Sequence, residues 1–333
     1  MNHYYIAEGK LRNNIGDILQ GMSASQYLPE DANPVDRESL SDLNPDQPAF
    51  MIANGWYMHD FSKFPPPPKV YPLYISVHIS NSDLLKSEKI RDHFRKYAPI
   101  GCRDDKTLRL FLGWGIPAYY SGCLTTTIKK PLFKVTPHSE SILLVDNIDH
   151  PVPENIIHKL EDLFQQKIDR LNHNPKIVER DFLSYVNAGR KQIDDLLYQY
   201  CSAKLIITTK IHCALPCIGM GLPVILIHPN PADPRLYTVK QFIPVISYES
   251  LMKMEEAPIS IVNHHRLKNQ KRLLSTIVNH SVKNKSNVIK HPTSPTFLFI
   301  KIRSVIAAWY YRFIIILLLR LKISSQINRV FSS

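Results

Sequence analysis

Lys210 and His212 stand two residues apart behind Thr208 and Thr209, in a stretch that is otherwise apolar: residues 205–227 read LIITTKIHCALPCIGMGLPVILI. An apolar run that halts at polar residues, turns helical and resumes predicts a strand over 205–207, a short helix, and a parallel strand over 223–227. Gly219 and Gly221 are the expected stop of that helix. Thr209, Lys210, Ile211 and His212 then lie at a strand's carboxyl end and a helix's amino end, where free N–H groups and the helix dipole favour an anion. A lysine and a histidine there suit phosphate or carboxylate. A capped helix with a solvated Lys210 gives the same pattern.

Three other junctions carry comparable residues. Pro99-Ile100-Gly101-Cys102-Arg103-Asp104 reads as a short strand entering a helix over 105–112, so Arg103 is either a bidentate anion clamp or one half of a structural salt bridge. Asn14, Gly16 and Asp17 form a tight polar loop between a strand over 4–7 and a helix over 18–27, the place where open α/β sheets bind ligands; a turn capped by Asp17 is the plainer reading. Period-two alternation along a strand over 71–79 puts Ser76, His78 and Ser80 on one face, as a cleft wall or as a solvated edge.

The elements that must position these residues alternate along the chain. Residues 31–48 are acidic and proline-bearing and read as a loop, followed by a strand over 49–53 that ends in Asn54-Gly55-Trp56-Tyr57. The prolines at 65–68 make a stiff connector. Helical spacing covers 84–97, and a strand over 118–120 precedes Ser121-Gly122-Cys123-Leu124-Thr125. Residues 128–139 read as a crossover, after which a strand over 142–146, a helix over 154–170, a strand over 177–179 and a helix over 189–203 lead back to the Lys210 segment. Beyond it, 228–235 is a proline-rigid loop ending in Arg235. Two successive strand-helix series describe two Rossmann-like α/β domains, 1–135 and 136–260, facing a cleft.

Charge separates the rest. The net +12 arises beyond residue 256, where 13 Lys and Arg meet no Asp or Glu; residues 1–256 hold 28 basic and 29 acidic side chains, a balance of −1. The body therefore offers no basic groove for nucleic acid. Residues 261–295 read as a basic linker. Residues 296–333 read as a basic apolar helix whose charge-broken apolar run falls short of a full span and favours an interfacial helix over an oblique crossing, with Lys301, Arg312, Arg320 and Lys322 within about 80° of Arg312 on the helical wheel and Arg303 opposite. An amphipathic membrane-surface tail, or a terminal helix packed on the body, would each look like this. Five cysteines without framework spacing and no signal-peptide pattern point to a reduced, cytoplasmic setting, peripheral to a membrane. Cys213 and Cys217 beside His212 read as core packing, and no metal or cofactor is expected.

Taken in order, Asn14-Ile15-Gly16-Asp17, the 99–105 segment, Ser121-Gly122-Cys123-Leu124-Thr125 and above all 207–216 followed by 219–225 resemble the polysaccharide pyruvyl transferase family, over about residues 10–240. The resemblance implies two domains akin to the GT-B glycosyltransferase architecture. It also implies transfer of the enolpyruvyl group of phosphoenolpyruvate to two hydroxyls of a sugar or lipid-linked oligosaccharide, as a cyclic ketal. That donor needs two anion corners, for which Arg103 on one side and Lys210 with His212 on the other are the candidates, His212 also as an acid. Trp56 or Tyr57 stacking on a sugar, His78, and Arg235 closing on the substrate complete the acceptor side. The chain departs from the family pattern in carrying Lys210 where arginine is usual and Asn54-Gly55-Trp56 where a glycine-rich turn is expected. A nucleotide-sugar transferase on the same architecture and a non-catalytic sugar-binding protein are the alternatives.

Overall fold

The computed structural model describes residues 1–7, 14–130, 140–146, 149–174, 177–179, 181–292 and 294–331, with side chains as far as residue 318. Two parallel sheets organise it. The first contains β1 (Asn2–Ala7), β2 (Asn33–Asp36), β3 (Ala49–Tyr57), β4 (Val70–Ile79), β5 (Ile100–Cys102) and β6 (Ala118–Tyr120), in the order β2-β1-β3-β4-β5-β6. The second contains β7 (Ile142–Asp146), β8 (Ile168–Asn172), β9 (Leu205–Thr208), β10 (Val224–His228) and β11 (Val245–Ser247), in the order β11-β10-β9-β7-β8. Each sheet reverses direction once, between its first and third strands. Such a switch point opens a crevice at the strands' carboxyl ends, which is where doubly wound sheets hold ligands.

Helix α1 (Ile15–Ser25) follows β1; α2 (Glu88–Lys96) and α3 (Asp105–Gly113) flank β5. In the second unit α4 (Glu154–Phe164), α5 (Phe182–Ser202) and α6 (Ile211–Met220) connect its strands, and α7 (Tyr237–Lys240) and α8 (Tyr248–Met252) flank β11. Alternate residues of a strand face opposite sides, and the cores follow that rule. Met51 and Ala53 of β3 join one core with Tyr74 and Phe94, while Phe50 and Ile52 join another with Ile18 and Leu19 of α1. This second core continues through Leu124 into Val145, Ile206 and Leu215, so both sheets share one apolar interior. Close packing fixes the junction: a Cβ on Gly219 would lie 2.3 Å from the Thr126 carbonyl oxygen. Gly219 thus serves the interface inside α6, and Gly221, at φ +74°, alone ends the helix.

Several expected boundaries move. The 31–48 loop contributes β2, and the strand expected over 49–53 runs on through Trp56 and Tyr57. Helical spacing over 84–97 resolves into a 3₁₀ turn and α2, and α5 starts seven residues before the expected 189. The helix expected over 154–170 ends at Phe164 with Gln165 left-handed at φ +51°, and Ile168–Asn172 pairs with β7 instead, so strand pairing overrides local helical spacing. Residues 177–179 form no strand, and 131–139 of the expected crossover lie outside the described residues.

A bulge in β4 has the largest consequence for the site. Tyr74 pairs with Ala53 and Val77 with Gly55, so Ile75 and Ser76 oppose the single residue Asn54, with Ser76 at φ +57°. Val77 and Ile79 consequently join the core of Tyr74, and His78 turns to the opposite side, towards α1. Ser76 and His78 are therefore not simple alternation partners.

The stretch expected as a basic linker instead forms α9 (His264–Asn284), which buries Leu267, Leu274, Ile277 and Val278. Helix α10 (Pro295–Phe331) then packs on α3 and β6. Its buried side holds Phe297, Ser304 and Ala308. The cationic arc expected at solvent lies beside that packed side: Lys301 donates to the Lys290 carbonyl at 2.9 Å, and the Arg312 side chain runs along Gly115.

Candidate functional site

The first turn of α1 is built by Asn14, whose side-chain oxygen accepts the Gly16 N–H at 3.1 Å and whose amide donates to Asp17 at 3.0 Å. Asn14 is thus the cap, and Asp17 is freed to accept Gln20 Nε2 at 2.7 Å. Gln20 Oε1 in turn accepts Arg103 Nη1 at 2.9 Å. The bonded partner of Arg103 is a neutral amide, which orients the guanidinium without cancelling its charge. Arg37, buried beneath, comes within 3.6 Å of Asp17.

The second domain's histidine is seated on this turn. A Cβ on Gly16 would stand 2.1 Å from His212 Nδ1, so only glycine admits the ring. Gly16→Ala is accordingly expected to cost about 1–3 kcal/mol in denaturant unfolding, the scale of overpacking a close contact. An unchanged midpoint would show that the ring steps aside freely. Burial, with Arg103 and His78 nearby, lowers the His212 pKa to about 3. That shift favours the neutral ring, which suits a hydrogen-bonding ligand.

His78 is held by a carboxylate. Its Nδ1 lies 2.6 Å from Asp104 Oδ2, at the strand-to-helix junction beside Arg103. Asp104 also caps α3, accepting the Thr107 N–H at 2.9 Å. Burial raises the Asp104 pKa, but the hydrogen bond and charge of His78, the Thr107 N–H and Arg103 outweigh it, and the net shift is downward. Asp104 is therefore a carboxylate that fixes His78 with its proton on Nδ1 and leaves Nε2 for other partners.

Lys210 stands at the N-cap position of α6. Burial lowers its pKa, Asp146 at the end of β7 opposes that shift, and Arg235 adds to it. His173, just after β8, is buried and held at about 3 by burial and by His212 and Lys210, and its ring bonds Tyr200 at 3.2 Å. Thr208 orders the junction by donating to the Val145 carbonyl at 2.7 Å and accepting the Lys210 N–H at 2.9 Å. Thr209 and Ile211 flank Lys210, half-buried.

The fold thus gathers Asn14, Gly16, Asp17, Arg103, His78 and His212 around the opening of α1, with Lys210 adjoining through the His173 neighbourhood. Two aromatic candidates lie near Arg37 with their rings already engaged. Tyr57 is 0% exposed, its ring packed edge-on against Phe64 and Tyr74, and so cannot stack on a sugar. Trp56 is half-buried and already engaged by the Arg37 guanidinium, 4.9 Å from its ring, and by His59. Arg235 is tied to Asp233 at 2.6 Å on an exposed turn, within electrostatic reach of Lys210.

Gln20, Asp104, Arg37 and His173 belong to the cluster although sequence reading did not select them. Gln20 was accessible, since it lies one helical turn beyond Gly16. His173 was hidden because the strand before it reads as helix. A groove of about 400 Å³ along the proline segment, bordered by Lys89, His93 and Lys96, is remote from these groups and lacks their convergence.

Two doubly wound parallel sheets that meet at Gly16 and His212 define an α/β protein of two Rossmann-like units. Its sequence matches the family Polysaccharide pyruvyl transferase over residues 14–231, and the chain belongs to that family. The match begins at the cap of α1 and ends just beyond β10, leaving α9 and α10 outside it. Among curated proteins, none matches the chain.

Proposed function

We propose that this transferase takes its pyruvyl group from phosphoenolpyruvate and sets it as a cyclic ketal on two hydroxyls of a sugar in a surface polysaccharide or its lipid-linked precursor, releasing phosphate. The observation that carries this reading is the meeting of Arg103 from one domain with His212 from the other at the first turn of α1, with Lys210 two residues before His212 in the chain. A donor with a carboxylate and a phosphate needs two separated anion corners, and the cationic side chains of the two domains suit that need. Arg103 takes one group bidentately; Lys210 and the neutral His212 take the other.

Protonation of the donor's methylene carbon makes the adjacent carbon electrophilic. His78, in its doubly protonated form and oriented by Asp104 through Nδ1, delivers that proton from Nε2. The first sugar hydroxyl adds, its proton passing back to His78. The second hydroxyl displaces phosphate, which departs with the remaining proton. One donor and one diol thereby give one ketal and one phosphate, with no metal or cofactor required.

The direct test is phosphate release by the full chain from phosphoenolpyruvate in the presence of a pyranoside acceptor, with a uridine-diphosphate sugar as control. Release of nucleotide and no phosphate would overturn the reading. Lys210→Ala is expected to weaken phosphoenolpyruvate by about 1–3 kcal/mol in calorimetry, the scale of a lost charged hydrogen bond. Unchanged affinity would remove Lys210 from the donor site.

A further inference from the structure

Helix α10 is apolar on two sides, and only one of them is used by the body. Phe297, Ser304 and Ala308 face inward, whereas Phe299, Ile302, Ile306, Trp309, Phe313 and Ile316 recur at alternating intervals of three and four and form a second stripe. Within it Phe299 is 63% exposed, Ile306 62%, Trp309 74% and Phe313 65%. Burying four such side chains is favourable, so this face is costly to leave in water.

The charges beside the stripe identify what covers it. At 100° per residue, Arg303 lies about 90° to one side of its centre and Lys301 and Arg312 about 90–110° to the other. No Asp or Glu occurs from Ala257 to Ser333, against 13 Lys and Arg. Pairing with a second copy would bring these cations together with nothing to neutralise them. An anionic bilayer satisfies both features: the stripe enters the acyl boundary while the flanking cations reach lipid phosphates. No described helix is long and apolar enough to cross a bilayer.

We infer that α10 docks the protein flat on an anionic lipid bilayer through the Phe299–Ile316 stripe. The experiment is co-sedimentation of the full chain with vesicles of phosphatidylcholine alone or mixed with phosphatidylglycerol, beside a variant carrying Phe299→Ser, Ile306→Ser, Trp309→Ser and Phe313→Ser. These positions are outward-facing, so the variant should keep its circular dichroism and melting temperature. Truncation before α10 is a poorer probe, since it would uncover the core around Phe297 and Ala308. Binding is expected to be on the order of 10²-fold tighter to the anionic vesicles, from three cations at the surface, and to vanish in the variant. No pelleting with anionic vesicles, equal binding to neutral ones, or pelleting unaffected by the four substitutions would each overturn the proposal. A concentration-dependent dimer abolished by the same substitutions, without vesicle binding, would assign the stripe to a second copy instead.

Discussion

Arg103→Ala is expected to lower kcat/KM for phosphoenolpyruvate by about 10²–10⁴-fold, because a bidentate, partly desolvated guanidinium contributes about 3–5 kcal/mol to holding an anion. The loss extends beyond one ion pair. Arg103 is the outermost member of the chain Asn14, Asp17, Gln20, so its removal leaves Gln20 Oε1 without its donor. It also withdraws one of the positive charges that keep the His212 pKa low, although burial, the larger cause, remains. Arg103→Lys separates charge from geometry: an intermediate rate is expected, because the charge stays and the planar fork goes. Steady-state phosphate release with calorimetry of the donor decides it, and wild-type values for Arg103→Ala in a protein of unchanged melting temperature would exclude Arg103 from the site.

His78→Gln is expected to reduce kcat by about 10²–10⁴-fold with little change in donor affinity, the loss characteristic of a positioned acid or base. Glutamine keeps a side chain of similar reach but cannot cycle a proton. The effect should therefore fall on kcat, and the limb of the pH–rate profile that belongs to this group should disappear. Asp104→Asn tests the orienting role: the amide leaves His78 without the carboxylate that fixes its tautomer at 2.6 Å, and a smaller loss of kcat with a displaced pH limb is expected. A His78→Gln enzyme with full kcat, or one that loses donor affinity alone, would return the protonation step to another group.

Much of this arrangement is legible in residue order. Apolar runs that end in Asn14–Asp17, Arg103 and Thr209–His212 mark strand-to-helix junctions, and a helix amino end binds anions whatever surrounds it, so the candidates follow from local chemistry. Where local signals competed with pairing, they failed. Ile168–Asn172 continues a helical spacing in sequence but pairs with β7, and His173 went unnoticed with it. Tyr57 sits next to Trp56 in a polar-looking turn, yet β3 runs on through both and buries it.

Residue order alone specifies the two α/β series, the family, the polar strand-to-helix junctions and the cationic end of the chain, because each rests on residues within a turn or a strand of one another. The tertiary structure alone decided which of these junctions meet. Gly16 receives His212 across the domain boundary through a contact of 196 positions in sequence, set by the core that both sheets share. His78 faces that junction only because the bulge at Ile75 and Ser76 reverses the alternation of β4. The outward side of α10 likewise depends on where α3 and β6 stand, since a helix apolar on two sides does not specify from its own sequence which one the body will cover.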